Sequence, residues 1–103
     1  MELEVDILGM PKQDKLLLVE DDPLIARMYQ EAFSRDGFEV ILAFNGEEGL
    51  EKAEKEKPDL ILLDILMPVM DGLTMMQKLR ENNTWGKTVP IILLTNLSAD
   101  EKK

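Results

Sequence analysis

The sequence predicts an α/β domain in which a parallel β-sheet carries helices on both of its faces. Short apolar runs alternate along the chain with segments of helical periodicity, a pattern typical of parallel sheets joined by right-handed crossovers. The run at residues 60–63 is continuously apolar, as expected for a strand that is covered on both faces. The length of 103 residues suits one domain and is too short for two.

The first part of the chain predicts a strand, a helix and a second strand. Residues 15–19 (KLLLV) form the first apolar run, and residues 38–43 form the next. Between them, Asp22 is a suitable helix cap, Pro23 takes the first helical position and Gly37 ends the helix. The predicted inward face of this helix carries four side chains at helical spacing: Ile25, Met28, Ala32 and Phe33.

The middle of the chain predicts a second helix that leads into the most informative strand. Asn45 and Glu48 have the spacing of a capping box, and the helix that follows turns Leu50 and Ala53 inward before it ends near residue 58. The apolar strand at residues 60–63 stops at Asp64. Met-Pro and Asp-Gly pairs then follow within residues 67–72, and such pairs force a turn.

The last part of the chain predicts a third helix and a fourth strand. Leu73, Met76 and Leu79 share one face of a helix over residues 73–81, and we interpret the adjacent pair Met75–Met76 as core rather than as a recognition surface. A polar connection over residues 82–88 precedes a strand at residues 89–94 that ends at Thr95. A further capping box at residues 98–101 marks the start of a fourth helix.

The composition excludes several classes of function. The chain has no cysteine and no histidine, which removes disulfides, thiolate zinc sites and most hydrolase triads. The net charge of -9 opposes contact with nucleic acid phosphates, so we expect no direct nucleic acid binding. No apolar run has the length of a membrane span, and no signal peptide is recognisable. We therefore expect a soluble, cytoplasmic protein.

Oxygen-bearing side chains follow three of the four predicted strands. Glu20 and Asp21 come after the first strand, Asp64 ends the third, and Thr95 ends the fourth. Because the carboxyl ends of parallel strands open on one edge of the sheet, we expect these side chains to meet there. Taken singly, each has an ordinary alternative: a turn or cap at Asp64, a solvated loop at residues 20–22, and a strand-end hydroxyl at Thr95.

Three carboxylates at one edge would repel one another and raise their pKa values unless a cation compensates. Mg²⁺ prefers oxygen ligands and is commonly held by one or two carboxylates together with a phosphate group. Such a site leaves one carboxylate free to act as a nucleophile toward a phosphoryl group, which gives an aspartyl phosphate. The sequence therefore predicts Mg²⁺-dependent phosphoryl chemistry at this edge.

Three stretches resemble the receiver domains of bacterial two-component response regulators: LLLVEDDPLIARMY, LILLDILMPVMDG and VPIILLT. The resemblance covers residues 15–103 in order. It implies a three-layer, flavodoxin-like, doubly wound sheet with strand order 2-1-3-4-5. It also implies a signalling switch rather than a turnover enzyme: a sensor histidine kinase or a phosphotransfer protein donates the phosphoryl group, and an output partner, which the sequence does not identify, responds.

The same resemblance assigns a role to each residue at the edge. Glu20 and Asp21 are the acidic pair that binds Mg²⁺, and Asp64 is both the phosphoacceptor and a metal ligand. The backbone carbonyl of Leu66 completes the metal ligands. Thr95 contacts the phosphoryl group and couples it to loop movement.

The sequence departs from the family pattern at its end. The fifth strand, with its Lys, and the fifth helix are absent from the 103 residues, so we expect a receiver domain at residues 15–103 that is incomplete at its C-terminus. Asn96 is larger than the small residue that the family pattern leads us to expect. Residues 1–14 form an extension, either an extra strand or residues foreign to the native protein. For the open sheet edge we expect one of two outcomes: pairing with a second chain to form a homodimer, or docking of the strand at residues 2–8.

Two other functions are compatible with parts of this pattern. A Mg²⁺-dependent phosphatase of the haloacid dehalogenase type also uses a strand-end aspartate, but it needs a second Asp two residues later, where this chain has Leu66. A receiver-like interaction scaffold that is never phosphorylated is the other alternative.

Overall fold

A computed structural model describes residues 14–67, 69–82 and 84–94, and all structural statements concern these residues. The four strands are β1 (Lys15–Val19), β2 (Glu39–Ala43), β3 (Leu60–Asp64) and β4 (Ile91–Leu94). The helices are α1 (Pro23–Arg35), α2 (Gly46–Glu56), α3 (Gly72–Asn82) and the short α4 (Thr84–Thr88). The strands form one parallel sheet in the order β2-β1-β3-β4, which confirms the predicted doubly wound fold.

The central strands β1 and β3 carry the core on both of their faces, because successive side chains of a strand point to opposite sides. Leu17 and Ile61 belong to the cluster that packs against α2, α3 and α4. Leu16 and Leu62 belong to the cluster that packs against α1. The continuous apolar runs of these strands are therefore explained by a sheet that lies between two helical layers.

The predicted helix starts are present. The Asp22 carboxylate accepts hydrogen bonds from the backbone N–H groups of Leu24 (2.9 Å) and Ile25 (3.4 Å) at the start of α1. At the start of α2, the Asn45 side chain accepts a hydrogen bond from the Glu48 N–H at 2.8 Å. The Glu48 carboxylate in turn accepts a hydrogen bond from the Phe44 N–H. These bonds satisfy donors that a helix cannot satisfy internally.

The inward face of α1 differs from the prediction. Ala26 is buried, Tyr29 and Phe33 pack against the core, and Ala32 is exposed. Met28 is 69% exposed. Phe33 is inward as predicted, but Ala26 and Tyr29 take the places expected of Ile25 and Met28, so the buried stripe is rotated around the helix axis by less than one residue, that is by less than about 100°. The rotation places the two aromatic rings of α1 over the sheet.

The inward face of α3 also differs in part. Met75 and Leu79 are fully buried, which confirms the interpretation of Met75 as core. Leu73, which was expected to face inward, is 50% exposed in the first turn of the helix. A Cβ atom at Gly49 on α2 would lie 2.9 Å from both the Met75 sulfur and a methyl group of Val19. The glycine therefore lets α2 approach the sheet and Met75 closely.

The predicted polar connection before β4 contains the helix α4. The Arg80 guanidinium donates to the carbonyl oxygens of Gly86 (3.0 Å) and Val89 (2.7 Å), and Trp85 packs against the core. The Val89 N–H donates to Trp85, so β4 begins only at Ile91, two residues later than predicted. None of the described helices has the length and apolar character that crossing a membrane requires.

Several predictions fall outside the described residues. They are the extra strand within residues 1–13, the position of Thr95 and Asn96, and the helix that starts near residue 98. The predicted association through a sheet edge stays a prediction.

We expect Met75→Ala to lower the free energy of unfolding by about 2–5 kcal/mol, because it removes a fully buried side chain and leaves a cavity between α2 and the sheet. Met28→Ala is the matched control: Met28 is largely exposed on α1, so its loss should change stability by less than about 0.5 kcal/mol. Urea unfolding followed by circular dichroism measures both. Equal effects of the two substitutions would contradict the described packing of α3.

Candidate functional site

Three carboxylates meet where β1 and β3 end. Val19 pairs with Leu63 in the register of the two strands, so Glu20 and Asp64 are neighbours at the same edge of the sheet. One oxygen atom from each of Glu20, Asp21 and Asp64 lies within 4.8 Å of the others. The predicted convergence of these three residues is therefore present. It follows from strand order, since β1 and β3 are adjacent although α1, β2 and α2 separate them in the chain.

Glu20 and Asp64 are buried, Asp21 is half-buried, and each of the three carboxylates has one buried oxygen atom without a hydrogen-bond partner among the described residues. Glu20 is 3% exposed and Asp64 is 1% exposed. Within the described residues, Glu20 Oε2, Asp21 Oδ1 and Asp64 Oδ2 are buried and accept no hydrogen bond. A buried carboxylate oxygen without a donor is costly, and a cluster of carboxylate oxygens is the donor set that a hard divalent cation prefers. The residues therefore fit a divalent cation such as Mg²⁺.

The electrostatics of the cluster are consistent with this fit. Burial raises the pKa of Glu20 from 4.5 to about 8, and the neighbouring carboxyl groups of Asp64 and Asp21 add to the increase. Without a cation, Glu20 therefore keeps its proton at a pH at which an exposed glutamate is ionised. A bound divalent cation would reverse this preference, because its charge stabilises the carboxylate form.

The loop between β3 and α3 folds back over Asp64. Asp64 Oδ1 accepts a hydrogen bond from the Leu66 N–H (3.2 Å), and the Gly72 N–H donates to the Ile65 carbonyl oxygen (3.0 Å). A Cβ atom at Gly72 would collide with the Asp64 carbonyl oxygen, so only glycine permits this close return of the chain. The Asp-Gly pair thus closes the loop, as the sequence indicated.

Asp71, the other member of that pair, begins α3. Its carboxylate accepts from the Thr74 N–H at 2.8 Å, and this hydrogen bond lowers the pKa of Asp71. Asp71 is therefore a helix cap and does not belong to the acidic cluster, although it lies in the same loop.

Two contacts at this edge were not found by sequence reasoning. The Glu20 N–H donates to the Ala43 carbonyl oxygen at 3.0 Å, which ties the acidic pair to the end of β2. A Cβ atom at Gly46, the first residue of α2, would collide with the carbonyl oxygen of Met70. The loop over Asp64 therefore rests on α2. A glycine at the first position of a helix indicates that another part of the chain approaches closely there, but the sequence does not identify that part as the loop at Met70.

Two of the predicted site assignments are not decided by this geometry. The Leu66 N–H contacts Asp64, and the Leu66 side chain is 56% exposed; its carbonyl group stays a predicted metal ligand. Thr95 lies directly after β4 but outside the described residues, so its role also stays a prediction.

Comparison with known families identifies one that spans most of the chain. The sequence model described as "Response regulator receiver domain" matches residues 16–103. A curated relative in Bacillus subtilis, the alkaline phosphatase synthesis transcriptional regulatory protein PhoP, is 43% identical over 81 residues, or 79% of this chain. The transcriptional activator protein PfeR of Pseudomonas aeruginosa is 39% identical over 89 residues, or 86% of this chain. The chain covers 32% and 28% of these two relatives, so it spans about a third of their length.

Solved structures agree with the sequence comparison. The chemotaxis response regulator CheY4 of Vibrio cholerae has a TM-score of 0.78 at 36% identity, with 89% of this chain and 76% of that chain covered. The response regulator TrrA of Thermotoga maritima, solved in complex with Mg²⁺-BeF, has a TM-score of 0.76 at 36% identity, with 87% and 76% covered.

In metal-free buffer, we expect the free energy of unfolding to fall as the pH rises from about 4.5 to about 8. The unfolded chain releases the Glu20 proton near 4.5 and the folded chain near 8, so over this interval the folded state binds more protons and loses stability with pH. At pH 8 the unfolded chain has released this proton, whereas the folded chain must either keep it or bury a charge. Glu20→Gln should therefore stabilise the metal-free protein by about 1–3 kcal/mol, because a neutral amide has neither cost.

Glu47→Gln is the control, since Glu47 is exposed on α2. Thermal unfolding in a chelating buffer at several pH values measures both effects. If Glu20→Gln is no more stable than the original chain at pH 8, folding does not raise the pKa of Glu20.

Proposed function

This chain belongs to the response regulator receiver domain family, and we propose that Asp64 is the residue on which it accepts a phosphoryl group. The observation that carries the proposal is the convergence of three carboxylates, each with one buried oxygen atom that has no partner within the described residues. An acidic cluster of this kind fits a divalent cation. A divalent cation next to a carboxylate is in turn what phosphoryl transfer to that carboxylate requires.

We propose that Mg²⁺ is held by Glu20, Asp21 and Asp64, together with the backbone carbonyl group of Leu66. When bound, the ion neutralises negative charge on the phosphoryl oxygens. The chain itself orients the acceptor, since the Leu66 N–H holds Asp64 Oδ1. The proposed donor is a phosphorylated histidine of a kinase or a phosphotransfer protein. One Asp64 oxygen forms a bond to its phosphorus atom while the bond from phosphorus to the histidine nitrogen breaks, and the imidazole leaves with the electron pair.

The remaining roles are proposed on family membership. Thr95 contacts the transferred phosphoryl group and couples it to movement of the loop after β4. The donor is a sensor histidine kinase or a phosphotransfer protein, and the site of action is cytoplasmic. The domain takes part in its own phosphorylation and does not turn over other substrates. The named relatives are transcriptional regulators, which is compatible with DNA binding by other parts of a longer protein; we do not propose that these acidic residues contact nucleic acid.

The two alternative functions are less well supported. A phosphatase of the haloacid dehalogenase type needs an acid two residues after the nucleophile, and Leu66 offers only an exposed apolar side chain there. A scaffold that is never phosphorylated gives no reason to bring together three carboxylates that each have a buried oxygen atom without a partner among the described residues. Mg²⁺-dependent phosphorylation accounts for these buried oxygen atoms.

We expect Mg²⁺ to bind to the chain and Asp64 to become phosphorylated by phosphoramidate, a small donor that needs no partner protein. Calorimetry measures Mg²⁺ binding, and intact mass spectrometry detects one added phosphoryl group. Asp64→Asn should remove phosphorylation, and Asp21→Asn combined with Asp64→Asn should abolish Mg²⁺ binding. Asp36→Asn is the control, because this exposed residue ends α1. Unchanged Mg²⁺ binding in the double variant would rule out the proposed metal site.

We expect slow loss of the phosphoryl group from Asp64. Leu66, two residues beyond, is apolar and cannot orient an attacking water molecule, and the same is true of Leu97 in the sequence. Leu66→Asn and Leu66→Glu should shorten the lifetime of the phosphorylated protein, as measured by mass spectrometry after the donor is removed. Leu73→Asn, at another half-exposed leucine, is the control. A lifetime of seconds in the original chain contradicts this prediction.

A further inference from the structure

Side chains bind two backbone groups at the outer edge of β2. Among the described strands, β2 pairs only with β1. The Glu39 N–H donates to Asp14 and the Ala43 carbonyl oxygen accepts from Glu20, so these alternate residues of β2 face β1. Because strand residues alternate in direction, the backbone groups of Leu42 and Phe44 face away from the sheet.

Two side chains of α2 bind these outward groups. The Lys52 ammonium donates to the Leu42 carbonyl oxygen at 2.6 Å, and the Glu48 carboxylate accepts from the Phe44 N–H at 2.8 Å. Lys52 Nζ and Glu48 Oε1 are 3.8 Å apart, one helical turn along α2. One helix thus supplies both the donor and the acceptor that a neighbouring strand would have supplied.

The two hydrogen bonds are made by the residues before and after Ala43, and Ala43 is the residue to which the Glu20 backbone is bonded. Ala43 lies between Leu42 and Phe44, and its carbonyl oxygen accepts the Glu20 N–H at 3.0 Å. Glu20 Oε2 is buried and has no partner in the described chain. Since that oxygen accepts no hydrogen bond, the backbone bond to the end of β2 contributes to the position of Glu20.

We propose that Lys52 and Glu48 are positioning residues for Glu20, acting through the end of β2 to hold its carboxylate beside Asp64. The inference rests on the proposed function, in which this cluster binds Mg²⁺. Both side chains of the pair are more than a third exposed, and an exposed ion pair contributes little by itself. The effect therefore comes from the hydrogen bonds to the backbone.

The test compares two lysines of the same helix. Lys52→Met removes the bond to Leu42, whereas Lys55→Met removes an equal charge from an exposed position one turn away. Loss of a positive charge near an acidic site should by itself favour cation binding. Loss of positioning should instead weaken Mg²⁺ binding in Lys52→Met by about threefold to tenfold, at or below the usual effect of residues that support metal ligands. Lys52→Arg should restore affinity, because a guanidinium can donate to the same carbonyl group.

A second pair of variants addresses Glu48. Glu48→Ala removes the acceptor of the Phe44 N–H, whereas Glu48→Gln keeps an oxygen in the same place, and exposed Glu47→Ala controls for the lost charge. Weaker Mg²⁺ binding in Glu48→Ala, with little change in Glu48→Gln and Glu47→Ala, supports the proposal. This pair keeps the test decisive if Lys52→Met does not fold.

A metal-free measurement separates positioning from general stability. Amide hydrogen exchange by NMR should show faster exchange of the Glu20 N–H in Lys52→Met than in Lys55→Met, while exchange of amides in β3 is unchanged. Equal Mg²⁺ affinity in all variants, or equal changes in Lys52→Met and Lys55→Met, overturns the inference. Absence of Mg²⁺ binding in the original chain would instead count against the proposed function.

Discussion

Three carboxylates meet at one sheet edge, each with one buried oxygen atom that has no donor among the described residues, and this is the constraint on which the rest of the structure depends. Each buried oxygen without a donor lowers stability, so the surrounding fold has to supply the opposing free energy. Two apolar clusters on opposite faces of β1 and β3 supply it, and the same two strands carry the carboxylates at their ends. The two strands that are buried on both faces therefore also carry an unfavourable group of side chains at their ends. Binding of a divalent cation would remove this conflict.

The side chains of the site are held in position by contacts of the backbone more than by hydrogen bonds between side chains. Gly72 allows the chain to return beside Asp64, and Gly46 allows the loop to rest on α2. The Glu20 backbone is bonded to the end of β2. Such anchors leave one oxygen atom of each carboxylate free for a ligand, whereas a network of side-chain donors would compete with a cation for the same oxygen atoms.

The sequence predicted the features that depend on local pattern, and it did not predict those that depend on contacts between distant elements. Apolar runs and capping residues such as Asp22 located the main helices and strands, and strand order alone was enough to place Asp64 beside Glu20. The rotation of α1 was not predictable, since Met28 and Ala26 are both apolar and only the sheet selects between them. The helix α4 was not predicted either, because five residues have no measurable periodicity and a hydrogen bond from Arg80 supports the end of this helix. Thr95 was predicted from pattern alone and lies outside the described residues.

The backbone conformation of Val69, in the loop over Asp64, is imposed by contacts that the loop makes elsewhere. Its φ of 68° lies in the left-handed region, which a β-branched residue rarely adopts. The side chain is 80% exposed, so no packing of its own compensates for this conformation. The flanking anchors account for it: Met70 lies against Gly46, and the Gly72 N–H is bonded to Ile65. A local preference is thus overruled at the segment that covers the acidic site, where strain is maintained by the surrounding structure. The same anchors hold the backbone of the loop in place beside Asp64.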